Sequence, residues 1–346
     1  MVLLVGAILN CYADNNATSP NAGIIVPPGL HPGDTVALIA SGFRVPYEQD
    51  VRFAVERLHA LGLQVKLGES IFAHDIYFAG TDKERARDIN KMFADPKIKA
   101  IFEARGGWGC DRVLPYLDYA LIKRNPKIII GFSDITALLL AIHAKTGLIT
   151  FHGTMGIEAW PEFTTNYLKQ VLFTGDKVVF ANPVEIDPKV DIIQTENRIY
   201  TINPGIASGK LLGGNLTTLV SMLDSGYTPQ WDNAILFLED VDEDYYKIDR
   251  MLSQLKMAGV LDHLSGLVFG QCVDCSPGKN STTSSVIGSA TLEQILNHYI
   301  KPLKIPAYSG AMIGHMPKMF TLPEGANVQI DATKGTITLL EPAVKN

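Results

Sequence analysis

The sequence predicts an α/β protein of two domains, the first built on a doubly wound parallel sheet. Three observations carry that prediction. Short apolar runs alternate with helix-patterned segments across residues 35–145, and a second alternation runs across residues 235–299. Between them, residues 160–208 are rich in Asn, Pro, Asp and Thr and lose the pattern. Strands that alternate with helices need crossover connections, and these place helices on both faces of a parallel sheet.

Taken in order, residues 14–30 read as a polar, then Pro/Gly-rich linker. Residues 35–40 (TVALIA) suit a buried strand. Residues 51–61 put Val51, Val55, Leu58 and Leu61 on one helical face. Thr81-Asp82-Lys83-Glu84 is a capping box that opens a helix through about Phe93. Residues 100–104 and 127–131 read as buried strands, and 135–145 as the helix after the second. In the second alternation, 235–238 (ILFL) and 266–270 are strands, and 245–258 and 291–299 are helices. Residues 327–330 and 336–340 flank Lys334-Gly335 as a hairpin, and 276–289 reads as an exposed loop. The division expected is an extension over 1–22, a first domain over 23–159, a connection over 160–208 and a second domain over 209–346.

Composition narrows the function classes. With 346 residues, 47% hydrophobic and 19% charged, the chain can build two sizeable cores and does not fit a disordered protein. A net charge of −6 supplies no basic surface for nucleic acid and no polybasic membrane patch. Four cysteines are too few for a disulfide framework. Cys272-Val-Asp-Cys275 lacks the second ligand pair of a zinc site and reads as two unrelated thiols near a strand end. No H-E-x-x-H is present, and no cofactor or metal is called for. Residues 1–13 (MVLLVGAILNCYA) are too short to span a bilayer. They resemble the end of a secretory signal without its Lys/Arg start, which tilts the expectation toward export to the periplasm over a cytoplasmic location.

The residues that could carry chemistry cluster at strand ends. In Ile128-Ile129-Ile130-Gly131-Phe132-Ser133-Asp134-Ile135, an apolar strand runs directly into a serine and a helix start. That arrangement lifts a hydroxyl to the carboxyl edge of a parallel sheet and aims a helix N-terminus at it. Ile135 stands where the last Gly of G-x-S-x-G would be, so the α/β-hydrolase pattern is not met; a plain helix cap by Ser133 or Asp134 is the competing reading. Arg105-Gly106-Gly107-Trp108-Gly109 is a second strand-end turn, able to offer free amides to an anion. A nucleophilic serine needs a base and the base an orienting group. Of eight histidines, His59 and His143 lie in helical patterns, whereas His315 follows the strand-like run Ala311-Met312-Ile313-Gly314. His152 is a rival base. Glu239, followed by Asp240, ends an apolar strand, where a carboxylate must be paired, catalytically or in a plain buried ion pair.

These motifs, in order, resemble the LD-carboxypeptidase family. The Arg105–Gly109 turn, Gly131-Phe132-Ser133-Asp134-Ile135-Thr136, Gly213-Gly214-Asn215-Leu216, Leu238-Glu239-Asp240-Val241 with Tyr246-Lys247-Ile248-Asp249-Arg250, and Gly314-His315 span most of residues 27–330. Trp108 stands where the family usually has Tyr. The resemblance implies a first domain of Rossmann or flavodoxin-like kind, a second αβ domain and an active site at their junction. It implies a serine peptidase with Ser133 as nucleophile, His315 as base and Glu239 as its orienting acid. The amide of Asp134 and one from Gly106 or Gly107 would form the oxyanion hole. Arg105, Trp108, Asn215 and Trp160 are the candidate substrate contacts. The substrate implied is a murein tetrapeptide, cut between an L-centre diamino acid and its terminal D-alanine. The alternative is the aminoacyl–nucleotide amide of the microcin C immunity type, which wants an aromatic ring such as Trp160 to stack on adenine. A non-catalytic peptide-binding protein is a third reading, against which the intact Ser, Glu and His argue. A homodimer is left open as a further partner.

Overall fold

The computed structural model describes residues 23–185, 189, 191–278 and 290–346. The expected signal-like run, the start of the linker and most of the 276–289 loop lie outside the described residues.

The first sheet holds β1 (Thr35–Ile39), β2 (Gln64–Leu67), β3 (Ile98–Glu103), β4 (Ile128–Gly131) and β5 (Thr150–His152). They lie in the order β2-β1-β3-β4-β5, all parallel. This is the flavodoxin-like order, which reverses direction between β1 and β3 and opens a crevice at the carboxyl ends there. The connecting helices are α1 (Glu48–Ala60), α2 (Asp82–Ala94), α3 (Tyr119–Arg124) and α4 (Thr136–Thr146). Helix α2 begins at the expected capping box. The Thr81 hydroxyl accepts from the Glu84 amide at 3.3 Å, and Glu84 Oε2 accepts from the Thr81 amide at 2.9 Å.

The stretch 160–208, expected as a connection with some local structure, contains regular elements. It supplies α5 (Glu162–Lys169), β6 (Val179–Ala181), β7 (Tyr200–Asn203) and the start of β8 (Ile206–Asn215). The second sheet then adds β9 (Ile235–Val241), β10 (Gly266–Val273), β11 (Ala307–Ser309), β13 (Asn327–Asp331) and β14 (Thr336–Leu339). Its order is β6-β14-β13-β8-β9-β10-β11-β7, with β8 to β11 parallel and the flanking strands antiparallel. Helices α6 (Leu216–Ser221), α7 (Tyr245–Met257) and α8 (Leu292–Ile300) complete this half. The expected hairpin is β13–β14.

Strand β12 (Leu322–Glu324) breaks the separation of the halves: it leaves the second and pairs antiparallel with β5, extending the first sheet to six strands. Its Pro323 is tolerated because β12 is an edge strand.

Helix α4 is apolar on every side, because the first sheet lies on one face and the second half on the other. Leu138 and Leu139 join the core around β3 and β4, whereas Leu140 joins Leu212, Leu216 and Leu238. Each such leucine contributes about 1.5–3 kcal/mol on burial. The largest core cluster itself runs through both halves, from Val36 and Phe102 to Phe237 and Val268. The halves therefore share apolar packing rather than touching through a polar seam. Among the described residues no helix is long and apolar enough to cross a membrane.

Candidate active site

Strand β4 ends at Gly131, and Phe132 stays extended (φ −150°, ψ −172°). Ser133 then turns to φ +64°, a left-handed conformation that serine rarely adopts and that costs roughly 1–3 kcal/mol. A short 3-10 turn over Ser133–Ile135 leads into α4, closed by the Ile135 amide donating to the Phe132 carbonyl at 3.2 Å. The strain lifts the hydroxyl off the sheet edge. Gly106, in the turn after β3, comes so close that a Cβ there would stand 3.1 Å from Ser133 Cβ. The two strand-end turns singled out in the sequence thus meet around one hydroxyl.

Across the seam, Ser133 Oγ lies 2.9 Å from His315 Nε2, and His315 Nδ1 lies 2.8 Å from Glu239 Oε2. A carboxylate can only accept, so the proton belongs on Nδ1, and Nε2 is left to accept from the serine. Glu239 is fully buried on β9, while His315 is half-buried with its ring edge-on to Phe132 at 4.9 Å. Burial alone would lower the His315 pKa. The hydrogen bond and charge of Glu239, with smaller contributions from Asp240 and Glu158, outweigh it and raise the pKa above the ordinary value. Gly314 is required beside this pair: it has φ +111°, and a Cβ there would strike Glu239 Oε2 at 2.5 Å. The run 311–314 is not the expected strand. It is a buried irregular segment after β11, held where the Gln271 amide donates to the Ile313 carbonyl.

Asp240, the neighbour of Glu239, points the other way, as alternation along a strand requires. Its carboxylate accepts from Asn215 Nδ2, the Thr217 amide and hydroxyl, and the Val241 amide. Burial, then the adjacent Glu239 charge, raises its pKa to about 6 against those bonds. Asp240 therefore holds the start of α6, not the turn before α7.

His152, the rival base, is fully buried between Phe132 and Phe237, and neither ring nitrogen has a partner. Burial drives its pKa down to about 4. Asp134 has a structural duty: its carboxylate accepts the Cys110 amide at 2.9 Å and ties the Gly-rich turn to the serine turn. Burial raises that carboxyl to about 6. Asn215 caps α6 by accepting from the Thr218 amide, so its side chain is committed. Trp160 is half-buried, donates from Nε1 to the Met155 carbonyl and packs near Phe102. Arg105 reaches back to the Arg44 carbonyl and lies over the Phe43 ring. Trp108 is 46% exposed against Tyr77 and Phe78, on the same turn as Gly106 and Gly107.

Two features escaped the sequence. A cavity of about 300 Å³ adjoins His315 and is lined by Phe132, Thr154, Glu158, Met316 and Met319 among others. Cys272 and Cys275 are not unrelated thiols: they form a disulfide at the end of β10, beside Asp240 on β9.

Residues 36–153 match the family model of the LD-carboxypeptidase N-terminal domain, and residues 208–330 that of the C-terminal domain. A protein of Bacillus subtilis named as a probable murein peptide carboxypeptidase is 37% identical over 318 residues, covering 90% of this chain and 93% of that one. The microcin C7 self-immunity protein of Escherichia coli is 31% identical over 332 residues, covering 89% and 94%. A solved apo structure of a microcin C7 self-immunity protein superposes with a TM-score of 0.79 at 29% identity, over 93% of this chain and all of that one. Two family models that together span most of the chain, with relatives aligned along nearly its whole length, show that this protein belongs to the LD-carboxypeptidase family, peptidase family S66, and is a hydrolase.

Proposed function

We propose that the protein is a serine carboxypeptidase that releases the terminal D-alanine of a murein tetrapeptide by cutting its amide bond to an L-centre diamino acid. The observation that carries the reading is the unbroken pair of hydrogen bonds from Ser133 through His315 to Glu239. His315 Nε2 takes the Ser133 proton as Oγ bonds to the scissile carbonyl carbon. Glu239 holds the ring and favours its charged form. The carbonyl oxygen becomes an oxyanion that the Asp134 amide and one from Gly106 or Gly107 receive, each donor lowering the barrier by roughly 3 kcal/mol. His315 returns the proton to the leaving amine, and the C–N bond breaks. A water, deprotonated by the same imidazole, then cleaves the Ser133 ester and frees the shortened peptide.

An aminoacyl–nucleotide amide would suit the same triad. The relative named a probable murein peptide carboxypeptidase is 37% identical against 31% for the microcin C7 self-immunity protein, which favours the peptide. The test offers both substrates to the purified protein. Free D-alanine from the tetrapeptide, detected by mass spectrometry, with the nucleotide amide left intact is the expected result. Cleavage of the nucleotide amide alone would replace this reading with the immunity type.

A further inference from the structure

The cavity beside His315 contains two polar side chains that the catalytic steps above do not use. Thr154 is buried, and its hydroxyl has no hydrogen-bond partner. Glu158 is half-buried on the cavity wall, near enough for its charge to act on His315. Among the described residues no cation pairs with the Glu158 carboxylate. The other acids around the triad are committed: Glu239 to His315, and Asp240 to the start of α6. The nearby cation Lys318 is bound to Glu185. The remaining wall is apolar and pliable, supplied by Phe132, Met316 and Met319.

An open carboxylate in the wall of a cavity that adjoins His315 and is otherwise lined largely by apolar side chains fits a side chain with a methylene stem and a cationic tip. We propose that Glu158 is a specificity determinant: it receives the free ammonium of the residue whose carbonyl Ser133 attacks. The stem lies along Met316 and Met319, and the Thr154 hydroxyl is the second polar contact. This inference rests on the carboxypeptidase reading and extends it, because it explains why a diamino acid rather than a neutral residue precedes the scissile bond.

The test uses the intact protein and three synthetic tetrapeptides that differ only in the third side chain: lysine, Nε-acetyl-lysine and norleucine. D-alanine release is followed to obtain kcat and KM for the wild type and Glu158→Gln. The wild type should prefer lysine over both neutral side chains by about 10- to 100-fold in kcat/KM, the range of one charge-assisted hydrogen bond. Glu158→Gln should lose that preference through a higher KM for the lysine peptide, so that its kcat/KM values for the lysine and norleucine peptides converge. Circular dichroism and thermal unfolding of both proteins are the folding control. Full lysine preference in Glu158→Gln, or none in the wild type, overturns the assignment of Glu158 and leaves the carboxypeptidase reading standing. No D-alanine from any of the three peptides overturns the carboxypeptidase reading itself, and the assignment of Glu158 with it.

Discussion

Each half of the molecule brings a histidine to the neighbourhood of Glu239, and the two have opposite surroundings. His152 ends β5 in the first sheet, wrapped by Phe132 and Phe237, with both nitrogens unpartnered and a pKa pushed down to about 4 by burial. His315 follows β11 in the second half, bonded on both nitrogens, with a raised pKa. Both feel the charge of Glu239. Only the one that shares a hydrogen bond with it gains enough to offset desolvation. Nearness to Glu239 does not by itself favour a charged imidazole; a directed hydrogen bond to it does.

The sharpest way to break this contrast is to remove the bonded members. Ser133→Ala and His315→Ala should each lower kcat by about 10⁴- to 10⁶-fold, since triad members act as a unit, with circular dichroism unchanged. His152→Phe, which fills the same aromatic nest, should stay within about tenfold of wild type. A dead but folded His152→Phe enzyme beside an active His315→Ala enzyme would reverse the assignment.

The adjacent acids give a smaller separation. Glu239→Gln should cut kcat by about 10³- to 10⁴-fold and leave the fold intact. Asp240→Asn should mainly lower thermal stability, by about 1–3 kcal/mol, because it disturbs buried bonds to Thr217 and Asn215. Finding the larger rate loss in Asp240→Asn would place the orienting acid one residue further along.

The smallest effect is a displacement in pH. His315 must be neutral to accept the serine proton, and Glu239 favours its charged form, so the acidic limb of kcat/KM should lie above the ordinary histidine value of about 6.5. In Glu239→Gln the residual activity should show that limb at lower pH, because the imidazolium loses its partner while burial still opposes it. A limb that stays in place would mean that another group titrates there.

What the sequence made legible follows from range. The Ser133 turn could be read because strand end, serine and helix start are contiguous, and the capping box at Thr81 because its partners are three residues apart. The Glu239–His315–Ser133 chain joins positions 76 and 182 residues apart. No local pattern encodes that; only the resemblance, motif by motif, brought the three together. Cys272-x-x-Cys275 permits a disulfide by spacing, yet spacing does not report oxidation. Asn215 looked available because a sequence shows a polar group without showing what already occupies it. Strand β12 was illegible for a different reason: three residues with a central proline carry no strand periodicity, and their partners lie 170 to 174 positions earlier in β5.

That strand has a mechanical meaning. Leu322 follows His315 by seven residues and pairs with His152, so the chain that carries His315 is riveted to the sheet that carries Ser133. A clamshell hinge between the halves would have to tear this rivet and shear the common apolar core. The cleft is therefore assembled before any substrate arrives, like a die already closed to its working gap.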